Sequence, residues 1–222
     1  TLLMQGVGYV ERCVQLRARH LYPHFDSVSI WRAPEAEPLG EDFWREFALL
    51  TNLQSLRLVQ KTSLSPVWAQ SVGSLPNLRV LSLEQCGLTE LPEELAQLAP
   101  VLTKLHLNKE QIEQLPAWLT QFEHLRTLSL CSCPLRRLPE WLVKIQSLIR
   151  LALPDNLLTE IPMSIGFLPE LIELNLSDNQ IRRLPTTLRQ LSQLRRLFLG
   201  GNPISAEEKR QLYSALPQTL IF

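Results

Sequence analysis

Two pairs of residues in this sequence have the types and spacing of reactive or metal-binding groups. Cys131 and Cys133 are separated by one serine, and His20 and His24 have the i, i+4 spacing of a zinc pair. In the repeat described below, Cys131 takes an outward position and Cys133 an inward one, so the two thiols are predicted to face opposite sides. Pro23 lies between the histidines and favours the end of a helix there. We therefore predict no metal and no cofactor.

A third candidate for chemistry is His106, which could act as a base towards a neighbouring serine. Ser82 and Ser129 are predicted to lie beside it on the flanking strands, and a serine next to a histidine is the core of a nucleophile–base pair. The sequence places no acidic residue behind His106 and has no glycine-rich phosphate loop in a suitable context. We therefore predict that the protein is not an enzyme.

A repeat must position these residues. Leucine accounts for 48 of the 222 residues, and the segment Leu-x-x-Leu-x-Leu recurs along the chain. Its seven copies start at Leu53, Leu78, Leu102, Leu125, Leu148, Leu171 and Leu194. The starts differ by 25 and 24 residues and then by 23 four times. A degenerate earlier unit begins at Phe25, and five later units carry a second motif, Leu-Pro-x-x-Leu or a close variant.

The repeat predicts a coil of stacked units. Each Leu-x-Leu segment alternates apolar and polar residues, which indicates a short strand with one buried face. The following proline stops the strand ladder, and the chain returns through a turn or short helix. No unit can bury its leucines alone, so the units must stack. The parallel strands then line the inside of a curve, because the return segments need more room.

Position nine of each unit, counted from its first leucine, is predicted to point into the bend that follows the strand. An asparagine there can bond backbone groups that the bend leaves unpaired. The predicted ladder comprises Cys86, Cys133, Asn156, Asn179 and Asn202. Lys61 and Glu110 depart from this pattern, so we expect rearranged loops in their units.

The pattern L-x-x-L-x-L-x-x-N/C-x-L resembles the leucine-rich repeat superfamily over residues 25–222. The 23-residue length with Leu-Pro-x-x-Leu is similar to its Ras-group and bacterial classes, and the C-terminal run resembles closures of bacterial repeat proteins. The resemblance implies an α/β leucine-rich repeat solenoid, a curved horseshoe with a concave parallel β-sheet, an N-terminal helical cap and a C-terminal helix-strand cap. It also implies protein binding and no reaction.

The chain divides into four predicted regions, which are an N-terminal helical cap (1–24), a degenerate first repeat with an acidic insert (25–52), leucine-rich repeats (53–203) and a C-terminal cap (204–222). The first cap rests on helical apolar spacing over 9–21. The second rests on a capping box formed by Ser205 and Glu208, a helix to about Ala215 and a last strand at 219–222.

Charge excludes some partners. The chain has 22 basic and 22 acidic residues, whereas a nucleic-acid partner usually requires a basic stripe. No stretch approaches the length of a membrane span. Acidic residues concentrate in 35–46 and basic ones in 179–206, so the two ends should carry opposite charge. We expect a monomer in the cytoplasm, with delivery into a host cell as the alternative location.

We predict that a partner protein binds the concave face. Aromatic residues and arginine dominate interface energies, and they interrupt an otherwise small and polar surface. The candidate binding residues are Trp31, Arg57, Val59, Glu84, His106, Arg150, Arg196 and Phe198. Trp118 and Trp141 should stack on the convex side, where they either cover a seam or form a second contact patch. The alternative function is substrate recruitment within a larger enzyme or bacterial effector, such as a ubiquitin ligase.

Overall fold

The computed structural model describes Val14, Arg17 and residues 19–32, 38–60 and 64–222. Within these residues, nine parallel strands form one sheet in which spatial order equals sequence order. The strands are β1 Ser27–Arg32, β2 Ser55–Gln60, β3 Val80–Glu84, β4 Lys104–Asn108, β5 Thr127–Cys131, β6 Arg150–Ala152, β7 Glu173–Asn175, β8 Arg196–Phe198 and β9 Leu220–Ile221. Each repeat therefore adds one strand, as the sequence predicts.

The strands pair in register, so equivalent positions of successive units form rows across the sheet. Leu81 on β3 pairs with Leu105 on β4, which pairs with Leu128 on β5. These leucines are buried, and they alternate with residues on the opposite face. We number the rows on that opposite face by their position in the repeat. Row three includes Lys104, row five His106 and row seven Asn108.

The return segments are short helices that begin directly after the proline of the second motif. Five of them are 3₁₀ helices: Glu93–Leu98, Ala117–Gln121, Glu140–Lys144, Met163–Phe167 and Thr186–Gln190. Each preceding proline is extended, and its carbonyl accepts a hydrogen bond from the residue three positions later at 3.0–3.2 Å. Proline suits this place because its fixed φ and missing N–H cost nothing at a helix start. Earlier units use α-helices, α1 Glu41–Phe47 and α2 Trp68–Gly73.

Position eight, between each strand and the bend, has a left-handed backbone. Gly201 there has φ 75°. The non-glycine residues Gln85, Lys109, Ser132, Asp155 and Asp178 have φ of 55–56°. The N–H of each of these five donates to the position-seven carbonyl of the next unit at 2.7–3.1 Å. The hydrogen-bond ladder thus continues through the corner that turns the chain out of the sheet.

The C-terminal segment contains the predicted helix and strand. Helix α3, Ala206–Ala215, starts where Ser205 Oγ accepts a bond from the N–H of Glu208 at 3.1 Å, and β9 pairs with β8. A capping box also requires the Glu208 carboxylate to accept the backbone N–H of Ser205, and this part of the prediction is wrong. The Glu208 carboxylate instead accepts a bond from the N–H of Leu184 at 3.2 Å, which joins α3 to the preceding unit.

The N-terminal predictions lie partly outside the described residues. Most of the helix expected over 9–21, and residues 33–37 of the acidic insert, fall there. Within the described part, Val14 is buried in the core and a 3₁₀ helix, Arg19–His24, includes Pro23. Glu46, counted above towards an acidic surface, is buried instead. Its carboxylate pairs with Arg19 at 2.7 Å and accepts a bond from the Tyr22 hydroxyl. No helix in the described ranges is long and apolar enough to cross a bilayer.

Candidate functional site

Strand pairing places all eight predicted binding residues on one face of the sheet. Trp31 lies beside Val59 in row seven, and Arg57 shares row five with His106 and Phe198. The residues extend from β1 to β8, roughly 34 Å at about 4.8 Å per strand. They therefore line a long surface rather than a single compact pocket.

One ion-pair cluster lies in the first half of this surface. The Glu84 carboxylate is 2.8 Å from Arg57 and 3.6 Å from Lys109. The hydrogen bond from Arg57 holds the pKa of Glu84 below its usual range, against the opposing effect of burial. The Glu84 side chain is 19% exposed while Arg57 is 57% exposed, so the cations face the solvent over a covered anion. Lys109 was missed from the sequence because it stands at position eight, on the corner.

A second cluster of the same kind lies in the other half. The Glu173 carboxylate is 3.3 Å from Arg150 and 2.8 Å from Arg196. All three belong to row three on consecutive strands, so their alternating charge was the signal that could have identified Glu173 from the sequence. Glu173 is again the most covered member, at 17% exposed.

Between the clusters lies a stretch without carboxylates. Among the described residues, the concave positions of β4, β5 and β6 hold no aspartate or glutamate. His106 is half-buried, and its pKa is lowered first by burial and then by the positive charges of Lys104 and Arg150. The Ser129 hydroxyl lies 3.2 Å from the Cys131 sulfur. Ser129 is the strand partner of His106, but no carboxylate at the described concave positions of β4–β6 is available to orient the imidazole as a base.

The aromatic residues at the two ends differ in exposure. Trp31 is 54% exposed on β1. The sequence predicts that Phe198 is exposed on the concave face, and this prediction is wrong. Its ring stacks on Phe222, with centroids 4.7 Å apart and planes at 13°, so Phe198 is half-buried. Phe222 carries the exposed face instead, and the sequence did not reveal this because the two phenylalanines lie 24 residues apart.

The convex tryptophans do not stack on each other. Of the ring pairs formed by the described residues, the one that includes Trp118 joins it to Phe122 at 5.8 Å. Both Trp118 and Trp141 are partly buried against the core. This packing favours the interpretation that they cover a seam between return segments.

The position-nine ladder fixes the bend behind the sheet. Asn179 Nδ2 donates to the carbonyls of Leu153 at 2.8 Å and Leu176 at 3.0 Å, and its Oδ1 accepts the N–H of Leu158 at 3.0 Å. Asn156 and Asn202 form equivalent bonds. The cysteines donate weakly, and burial raises the pKa of Cys133 to about 11, which makes it a poor nucleophile.

Glu110 takes the ladder position without the loop rearrangement expected from the sequence. It is fully buried, and its two oxygens accept the N–H groups of Cys86 and Leu88 at 2.9 Å. Lys109, the residue before it, keeps the left-handed corner of the other units. Burial raises the pKa of Glu110, and the bonds from these N–H groups oppose that shift.

Comparison with known families agrees with this geometry. One family model described as leucine rich repeat matches residues 146–204, and a second of that description matches 77–98 and 124–145. The chain is a leucine-rich repeat protein. Nine parallel strands stacked unit by unit give it the curved, open solenoid of that family. Proteins of this family are typically non-enzymatic.

Two solved structures are similar to this leucine-rich repeat protein. LIC12759 of Leptospira interrogans is 27% identical with a TM-score of 0.63, over 80% of this chain and 50% of that one. The ectodomain of the Arabidopsis thaliana receptor kinase GASSHO1/SCHENGEN3, in complex with Casparian strip integrity factor 2, is 27% identical with a TM-score of 0.57, over 72% of this chain and 19% of that one.

A curated relative is the Arabidopsis thaliana protein named "Putative disease resistance protein At3g14460". It is 35% identical over 97 residues, which is 42% of this chain and 6% of that protein. The leucine-rich repeat chain thus spans a small part of this relative. Together these relatives indicate a protein-interaction module.

Proposed function

We propose that this leucine-rich repeat protein binds a partner protein through the concave face of its sheet. The observation that carries the proposal is the row arrangement, which presents exposed arginines and Trp31 on a sheet face where no core requires them. Arginine and tryptophan are the residue types that most often dominate binding energy. The plant receptor ectodomain, solved in complex with a named factor, supports a protein ligand for this architecture.

The two ion-pair clusters support the concave face over the convex one. Each carboxylate pairs with two cationic side chains that are themselves about half exposed. Side chains that are ordered before binding lose less conformational entropy when the partner arrives. In this proposal the two clusters are preorganised contact sites for the partner. The proposal further includes that the chain acts as a monomer. It also assigns residues 1–24 and 204–222 as caps of the repeats.

The test is affinity capture from a lysate of the source organism with three baits. The concave variant Trp31→Ala/Arg57→Ala removes exposed residues of β1 and β2. The control variant Met163→Ala/Phe167→Ala removes side chains of similar exposure, 57% and 58%, from a return helix. We expect one protein to be retained by wild type and by the control but lost with the concave variant. Equal retention by all three baits, or loss with the control alone, would rule out the concave face.

A further inference from the structure

The concave surface carries more positive than negative charge, although the whole chain is neutral. On positions three, five and seven of β1–β8 there are four cations and two carboxylates. The cations are Arg57, Lys104, Arg150 and Arg196, and the carboxylates are Glu84 and Glu173. A face with this excess attracts an acidic partner and repels a basic one.

Row three shows where the excess lies. Along β4 to β8 it reads Lys104, Thr127, Arg150, Glu173, Arg196, so cations alternate with other residues. Between Arg150 and Arg196 stands Glu173, which pairs with both. Between Lys104 and Arg150 stands Thr127, which is short and uncharged. The same two-cation arrangement therefore occurs twice in one row, once with the chain's own carboxylate and once without.

The surroundings of Thr127 suit an incoming anion. Lys104 and Arg150 are both exposed and lie two strands apart, roughly 10 Å at the usual strand spacing. His106 and Ser129 lie beside them in row five. Burial is the main cause of the lowered pKa of His106, and the positive charges of Lys104 and Arg150 lower it further.

Thr127 itself is buried between its neighbours. We propose that Lys104 and Arg150, which flank it, together bind an aspartate or glutamate carboxylate of the partner above Thr127, as Arg150 and Arg196 together bind Glu173. The partner segment on the concave sheet is accordingly acidic. This inference rests on the proposed function, because it names the chemistry of the same surface.

The decisive variant is Thr127→Glu, which supplies the missing carboxylate from within the chain. Because Thr127 is buried, the longer side chain must extend outwards between Lys104 and Arg150. Glu173, in the same row two strands away, extends between two arginines in this way. Thr127→Gln is the size-matched neutral control. Ser27→Glu adds the same charge to row three on β1, four strands from the site.

The probe is a fluorescein-labelled oligo-glutamate peptide, followed by anisotropy at low salt. We expect Thr127→Glu to weaken its binding by about tenfold or more, because two carboxylates would compete for one pair of cations. Thr127→Gln and Ser27→Glu should each stay within about threefold of wild type, since neither places a charge at the site. No binding to wild type, equal losses in Thr127→Glu and Thr127→Gln, or tighter binding of oligo-lysine would overturn the proposal. Tighter binding of a phosphoserine peptide would overturn the assignment to a carboxylate.

A second readout does not need the probe. In free Thr127→Glu the pKa of His106, measured by NMR titration, should rise relative to wild type and to Thr127→Gln, because the new carboxylate offsets Lys104 and Arg150. An unchanged His106 titration would show that the side chain at 127 does not face this group. Loss of a captured protein with Trp31→Ala/Arg57→Ala together with no oligo-glutamate effect would retain the concave function and reject the acidic partner.

Discussion

At the scale of single residues, the asparagine at position nine satisfies backbone groups of two units at once. Asn179 bonds Leu153 and Leu158 of the preceding unit and Leu176 of its own. Because these groups are buried, they have no water to replace the lost partner. The side chain therefore contributes more to stability than a surface asparagine does.

Asn179→Ala should lower the free energy of unfolding by about 1–3 kcal/mol, the usual cost of leaving buried polar groups without partners. Asn175, four residues earlier, faces the concave side, and within the described part of the chain its side chain accepts one bond, from the N–H of Ser177 at 3.0 Å. Asn175→Ala should therefore lower the free energy of unfolding by a clearly smaller but still measurable amount. Urea denaturation of both variants makes the comparison. Equal losses of unfolding free energy in the two variants would mean that the position-nine hydrogen bonds do not account for the stability lost in Asn179→Ala.

Glu110 should make stability depend on pH in a direction opposite to that of an ion-paired carboxyl. Its pKa in the folded protein lies above the ordinary value of 4.5, so the folded state holds the proton more tightly than the unfolded state. The stability that this provides is complete below pH 4.5 and is lost as the pH rises through the raised pKa.

Glu110→Gln tests this, because it cannot ionise. We expect the difference in free energy of unfolding, wild type minus Glu110→Gln, to fall as the pH rises from about 4 towards 7. Urea titrations at a series of pH values give the difference, and carboxyls common to both proteins cancel. A difference that rises with pH would mean that the two N–H bonds hold the folded-state pKa below the ordinary value.

At the scale of elements, the strands and their register were predictable, whereas the contacts between side chains of different units were not. The register follows from leucine spacing, since a shift of one residue would turn every leucine to solvent. The stacking of Phe198 on Phe222, the pair between Glu46 and Arg19 and the two cations around Glu173 join residues 23 to 27 positions apart. No local pattern encodes such pairs, because each depends on how neighbouring units lie.

The return helices pack closely enough to require glycine where Gly73 meets Glu94 and where Gly166 meets Thr187. A Cβ on Gly166 would overlap the backbone carbonyl of Thr187 in the next helix, whose hydroxyl bonds the carbonyl of Met163. Gly166→Ala should therefore destabilise the fold by about 1–3 kcal/mol, as overpacking does. Gly200→Ala is the control, because a Cβ there meets nothing within 4 Å. Thermal melts compare the two, and equal melting temperatures would show that the helices can separate without cost.

At the scale of the whole molecule, the described acidic residues of segment 35–46, near the N-terminal end, are paired with arginines. Glu46 is paired internally, and Arg45 lies near both Glu41 and Asp42, so the described part of the acidic end is largely neutralised. The basic end keeps exposed arginines at 182, 183, 189 and 195. The concave excess adds to this positive character.

The ladder bonds run from each asparagine back to the preceding unit, and amide hydrogen exchange can detect this. Asn202 Oδ1 accepts the N–H of Ile181, and Asn179 Oδ1 accepts the N–H of Leu158. Asn202→Ala should speed exchange at Ile181 by about tenfold or more and leave Leu158 nearly unchanged, because only the first amide loses its acceptor. Equal acceleration at both amides would indicate global destabilisation instead.

In-register pairing also means that distance on the concave face is counted in whole repeats. One 23-residue unit, 125–147, separates the strand of Lys104 from that of Arg150. Deleting that unit would preserve the repeat phase while bringing the two cations to adjacent strands, about 5 Å apart along the sheet. The uncharged position between the two cations would then be lost without any point substitution. Gain or loss of a single repeat can thus change which ligand this surface binds, while the remaining strands keep their order in the sheet.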